Sequence, residues 1–102
     1  MPVVTRGAAR VELRLYVSGR SAYTQSVLET VEAVVREYDP AQVHVEVREA
    51  QEALDDDRVF FTPMVVVKDR FDPARRTVVV GDLRERESLR GVLSGFDVHP
   101  RH

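Results

Sequence analysis

The chain has 102 residues and no cysteine. That length suits one domain with a core of its own, and the missing thiols exclude disulfide exchange, a disulfide framework and thiolate-bound zinc. The formal net charge is -2, from 17 acidic and 15 basic residues, and the longest like-charged block is Asp55-Asp56-Asp57; this balance argues against a general nucleic-acid or membrane-surface binder. No apolar run approaches the roughly 20 residues that span a bilayer. "MPVVTRGAAR" lacks the apolar centre of a signal peptide, so residues 1–10 read as a flexible leader and the cytoplasm is the expected compartment.

The first element is "VELRLYV" (11–17). Val11, Leu13, Leu15 and Val17 alternate with Glu12, Arg14 and Tyr16, which predicts a strand with one well-buried face. "SGR" breaks it, with Gly19 free to take backbone angles that other residues avoid. From Ser21 to Tyr38 the period changes. Val27, Leu28, Val31, Val34, Val35 and Tyr38 form one helical stripe. Ser21 is placed as the N-cap, Glu32 and Arg36 have the spacing of a helical ion pair, and Asp39-Pro40 ends the helix.

"VHVEVRE" (43–49) is a second strand, with Val43, Val45 and Val47 inward and His44, Glu46 and Arg48 outward. Strand, helix and strand in this span predict a parallel βαβ unit. "AQEALDDDRVF" (50–60) reads as a short helix. "MVVV" (64–67) is an apolar run suited to a central strand, "RFDPAR" a turn, and "RTVVVG" an antiparallel return strand. "LRERESLRGVLSGF" (83–96) is a last helix with Leu83, Leu89, Val92, Leu93 and Phe96 on one face, and residues 97–102 read as a loose tail. The domain proper is therefore 11–96. The element order βαβαββα is that of an α/β, thioredoxin-like fold with a mixed four-stranded sheet. By analogy with that fold the strands lie 4-3-1-2 across the sheet, which puts strand 43–48 at an edge.

In thioredoxins two cysteines flank the start of the first helix. Here Ser21 and Thr24 stand at those points, and hydroxyls cannot exchange disulfides. Helix capping is their ordinary role. A serine nucleophile needs an adjacent base, and the histidines, His44, His99 and His102, lie on a distant strand and in the tail. Thr62-Pro63 occupies the place of the cis-proline of that fold, although a trans proline opening a strand fits the sequence equally. The aspartates at 55–57 lack the spacing and distal glutamate of a calcium loop. Arg75 and Arg76 could hold a phosphate or carboxylate, although arginines in a turn are usually solvated. Neither a catalytic set, a cofactor fingerprint nor a metal cluster is legible.

Two stretches together resemble a known family. "LRLYVSGRSAYTQSVLETVEAVV" is similar to the first half of KaiB, the circadian clock protein, and "FFTPMVVVKDRFDPARRTVVVGDLRERESL" to its second half. The shared combination is "LYVSG", "TP", "RR" and "GDL" followed by "RE", over about residues 11–94. Tyr16, Val17 and Gly19 match the strand end, and Thr62, Pro63, Arg75, Arg76, Gly81, Asp82, Leu83, Arg86 and Glu87 match the second motif. "RSAYTQS" stands where the family reads "NTPNS", and "DRFDPA" replaces its proline-rich turn.

The resemblance implies a binding protein with no enzymatic activity and no cofactor. Its partner is a KaiC-like hexameric ATPase of RecA type, whose phosphorylation cycle it modulates, and it self-associates as a dimer or tetramer. It also implies two folds, a tetrameric βαββααβ ground state and a thioredoxin-like binding form. The valines of "MVVV" and "TVVV" suit strands and resist helix modestly, so this chain is expected to favour the thioredoxin-like form. An edge strand with polar alternate residues invites strand addition, which makes His44, Val45, Glu46 and Arg48 the expected partner-binding residues. The competing reading is a cysteine-free thioredoxin-fold stress or chaperone-like protein with no clock role.

Overall fold

The computed structural model describes residues 9–19, 21–52, 59, 62–80 and 83–101. The elements are β1 (Val11–Val17), α1 (Ala22–Val35), β2 (Val43–Glu49), a 3-10 turn (Ala50–Glu52), β3 (Met64–Asp69), β4 (Asp72–Val79) and α2 (Arg86–Ser94). The remainder of the expected 50–60 helix, apart from Val59, lies outside the described residues.

The strands form one four-stranded sheet in the order β2-β1-β3-β4. β1 pairs in parallel with β2, from Val11 opposite Val43 to Val17 opposite Glu49. β3 runs antiparallel to β1, with Tyr16 opposite Met64 and Leu13 opposite Val67. β4 returns antiparallel to β3, with Val66 opposite Val78, and the register shifts between Lys68 and Asp69. The expected order and the edge position of β2 are both observed.

The main core lies on one face of the sheet. Val11, Leu13, Leu15 and Val17 of β1 meet Val65 and Val67 of β3, and both helices close over them with Val27, Val31 and Val34 of α1 and Leu89 and Leu93 of α2. Each such side chain removed from water stabilises the fold by roughly 1.5–3 kcal/mol. Leu83, Phe96 and Val98 complete this layer around α2.

Tyr16 departs from the expected pattern. It points away from this core, as the alternation requires, yet it is wholly buried. Tyr16, Met64 and Val66 form a second cluster on the opposite face, with Val59 packed against them. Alternation distinguishes the two faces of a strand but not what covers each, and a central strand is covered on both.

Other details also differ from the sequence reading, and both helices are shorter than expected, α1 ending at Val35 and α2 spanning Arg86–Ser94. The expected turn "RFDPAR" contracts to Arg70-Phe71, and β4 already begins at Asp72. Two aspartates tighten that corner: Asp69 accepts the Phe71 amide at 2.9 Å and Asp72 the Ala74 amide at 3.2 Å. A proline is tolerated in β4 because it is an edge strand. Val47, expected inward, is 44% exposed, because burial falls along β2 from buried Val43 through half-buried Val45. The C-terminal segment is held down rather than loose: Val98 is buried, and the Arg101 amide donates to the Glu37 carbonyl at 2.6 Å.

Candidate partner-docking site

The β1–α1 junction is built to start a helix. Gly19 has φ +74, a region that side chains other than glycine rarely adopt, although a Cβ there would meet no atom within 4 Å. Backbone conformation alone therefore calls for glycine. Ser21 follows in extended conformation as N-cap, and its Oγ accepts the Thr24 amide at 3.1 Å. The Ser21 hydroxyl also donates to Thr24 Oγ1 at 3.1 Å. Both hydroxyls that stand at the thiol positions of a redox protein are thus turned inward on the helix end. The Thr62-Pro63 bond is cis, and it leads directly into Met64, the partner of Tyr16.

The second-half motif residues do not converge on one place. Arg75 and Arg76 are consecutive on a strand and so project to opposite faces. Arg76 is paired across the sheet with Lys68. Arg75 reaches over to the end of α2, where its Nη1 lies 3.3 Å from Asp97 and 3.7 Å from Asp69. Its Nη2 donates to the Gly95 carbonyl, and its guanidinium sits 5.3 Å from the centre of the Phe96 ring. The reading of this pair as solvated turn residues is therefore corrected for Arg75, which clamps β4 to the C-terminal end of α2. Arg86 is exposed at the start of α2, Leu83 is buried, and Glu87 bonds to Arg90. Gly81 and Asp82 lie outside the described residues.

The β2 edge carries the remaining expected residues. Among the described strands β2 is bonded to β1 alone. In a parallel strand alternate residues turn both backbone groups the same way, so half of its N–H and C=O groups face outward from the sheet. His44, Val45, Glu46 and Arg48 are half-buried, and Arg48 pairs with Glu46. His44, Glu46 and Arg48, with Arg14, which bonds Glu12 at 2.9 Å, make a charged surface on the face opposite the helices, while Val45 packs against the helix-side core. His44 Nε2 and Arg48 Nε are buried without hydrogen-bond partners among the described residues, an arrangement that costs about 1–3 kcal/mol for each group left unpaired. The ion pair expected between Glu32 and Arg36 is not formed.

No group of three or more His, Asp or Glu residues that could hold a metal ion occurs among the described residues. No helix among them is long and apolar enough to cross a membrane. The sequence pattern did not reveal Arg90 of α2, which grips Glu37 just beyond α1. The two are 53 positions apart, and no local signal links them.

No family model matches the chain, and no curated protein matches it. Among solved structures, the chain is similar to the crystal structure of a thioredoxin-like protein from Bacillus cereus ATCC 10987, with a TM-score of 0.52 and 15% sequence identity, covering 85% of this chain and 88% of that one. The fold is thioredoxin-like. At that identity the likeness extends to the architecture alone.

Proposed function

We propose that this chain is a KaiB-like adaptor, acting by binding rather than catalysis in the cytoplasm, which docks on a KaiC-like hexameric ATPase and modulates its phosphorylation or ATPase cycle. The observation that carries the reading is the outer edge of β2, unpaired among the described strands, on a thioredoxin-like frame. That edge offers backbone donors and acceptors beside the exposed Val47, and the hydroxyls at the helix start are engaged in capping. The motif residues quoted above add the family resemblance. Their positions are consistent with a structural role: Tyr16 is core, Arg75 is a clamp and Gly19 makes a bend.

The test is capture of a double-RecA ATPase by the full chain, with ATP and with ADP bound, together with the ATPase rate of the complex. Formation of a stable complex with an altered rate is the expected result. The absence of any complex in either nucleotide state overturns the proposal and favours the chaperone-like alternative. Two proline variants then locate the interface. Val45→Pro and His44→Pro remove neighbouring amides, one facing β1 and the other facing outward. The variant that keeps its fold is the one that loses the outward donor, and it is expected to lose capture. Capture that survives in that variant excludes the edge.

A second fold is part of the same proposal, since the family's ground state places part of the second half in a different arrangement. Its population is read from backbone chemical shifts. We expect strand values at Val78 and Val79 at equilibrium; helical values there would overturn the expectation that the thioredoxin-like form dominates.

A further inference from the structure

Beside the start of β2 a groove of about 330 Å³ runs between the sheet edge and the C-terminal end of α1. Val35 and Tyr38 form one wall and Val43 and Val45 the other, with Arg36 and Arg101 at the rim. Arg101 is fixed there by its own backbone, which bonds Glu37, and its Nη2 donates to the Arg36 carbonyl at 3.2 Å. That contact is to a neutral carbonyl oxygen.

Two nearby acids, Glu37 and Asp39, are engaged elsewhere. Glu37 is held on both oxygens by Arg90, and the Asp39 carboxylate accepts the Ala41 amide at 2.8 Å. Among the described residues neither Arg36 nor Arg101 has a carboxylate partner, although the chain as a whole is net negative. Two guanidiniums with no carboxylate partner among the described residues, at the rim of an apolar cleft, make an environment of defined complementarity. The cleft favours a hydrocarbon body, and the planar forks favour a carboxylate. The volume is at the small end of ligand sites, so the body is a short aliphatic chain or a single aromatic ring.

We infer that this groove binds a small amphipathic monocarboxylate, its apolar part against Val35, Val43 and Val45 and its carboxylate on Arg36 and Arg101. The inference does not depend on the adaptor reading, because the groove and its charges exist whatever docks on the β2 edge.

The test is an amide-resolved NMR titration of the full chain with 4-phenylbutyrate, and in parallel with 4-phenylbutanol and with inorganic sulfate. The expected result is saturable shifts at Val35, Val43 and Val45 with 4-phenylbutyrate, and binding weaker by about tenfold for the alcohol, which keeps the body and loses the charge-assisted bonds. Arg36→Gln combined with Arg101→Gln is expected to weaken the carboxylate by a similar factor and leave the alcohol unchanged. Equal binding of acid and alcohol overturns the assignment of the arginines. Equal shifts from sulfate overturn the role of the apolar walls. The absence of saturable shifts at these residues up to about 10 mM ligand overturns the site itself. The comparison of acid with alcohol uses the unaltered chain, so it decides even if the double variant fails to fold.

Discussion

Arg90 of α2 holds Glu37, at the turn after α1, by two parallel bonds: Nε to Oε1 at 2.8 Å and Nη2 to Oε2 at 2.6 Å. Its third nitrogen, Nη1, reaches Glu87 one turn back on its own helix. The two helices, which share the core below, are thereby also joined at the surface. Hydrogen bonds to Glu37 are the chief reason the guanidinium holds its proton even more firmly than an ordinary arginine.

Arg90→Ala is expected to lower the thermal midpoint slightly, and Arg90→Lys to restore little of the loss, since an ammonium cannot reproduce the fork. The pair is half-exposed, so the deficit should shrink in about 1 M salt, where screening acts over only a few ångströms. Thermal unfolding of the two variants at low and high salt checks this. A deficit unaffected by salt would mean that packing of the arginine stem, and not its charge, joins the helices.

Tyr38 lies beside this pair. Burial raises the pKa of its hydroxyl above the ordinary 10.0, the Glu37 carboxylate raises it further, and Arg90 lowers it. The folded state therefore keeps the proton at a pH where the unfolded chain has lost it. Below pH 10 the two states are equally protonated at this group and its contribution is complete. Above pH 10 the unfolded state ionises first, and stability falls until the folded pKa is passed. Urea unfolding from pH 9 upward should show this decline, and Tyr38→Phe should remove this group's share of it. An ultraviolet titration should show a phenol that ionises late in the native chain and normally in urea.

Arg75 contacts Asp69, Asp97, the Gly95 carbonyl and the Phe96 ring. Arg75→Ala is expected to cost about 1–2 kcal/mol, the range for charged hydrogen bonds reduced for an exposed setting. The loss includes a buried Asp69 carboxylate deprived of its nearby cation and an aromatic ring deprived of its guanidinium. Arg75→Lys should recover only part of it. Urea unfolding measures the cost, and hydrogen exchange in Gly95 to Asp97 should rise more than in β1. A uniform rise would argue against a local clamp.

Ser21→Ala is expected to destabilise the chain by about 1 kcal/mol through loss of the N-cap, and Ser21→Asp to retain most of the stability. The measurement is again equilibrium unfolding. An alanine variant as stable as the parent would mean that the hydroxyl is not engaged at the helix start, and would reopen a chemical role for it.

Much of this architecture is legible in short stretches of the chain. Strict alternation in "VELRLYV" and the 3.6-residue stripe from Val27 to Tyr38 each depend on local geometry, and local geometry is written in neighbouring residues. The order of elements and the N-cap at Ser21 followed from such patterns, while the edge position of β2 came from analogy with the thioredoxin fold. The place of the cis peptide, Thr62-Pro63, came from comparison with the thioredoxin fold, while its isomer is a property of the folded chain.

What the tertiary structure alone decided concerns partners far apart in sequence. Tyr16 reads as a surface residue of an alternating strand, yet it is core because Met64 and Val66 meet it from β3. Arg75 and Arg76 read as a pair, yet a strand turns them to opposite faces and only Arg75 finds the end of α2. Arg36 has the spacing to bond Glu32, yet it stands with Arg101 over an apolar groove. Periodicity reports which side of its own element a residue occupies. What faces that side depends on long-range packing, and in this chain the clamp, the helix-to-helix bond and the groove all arise there.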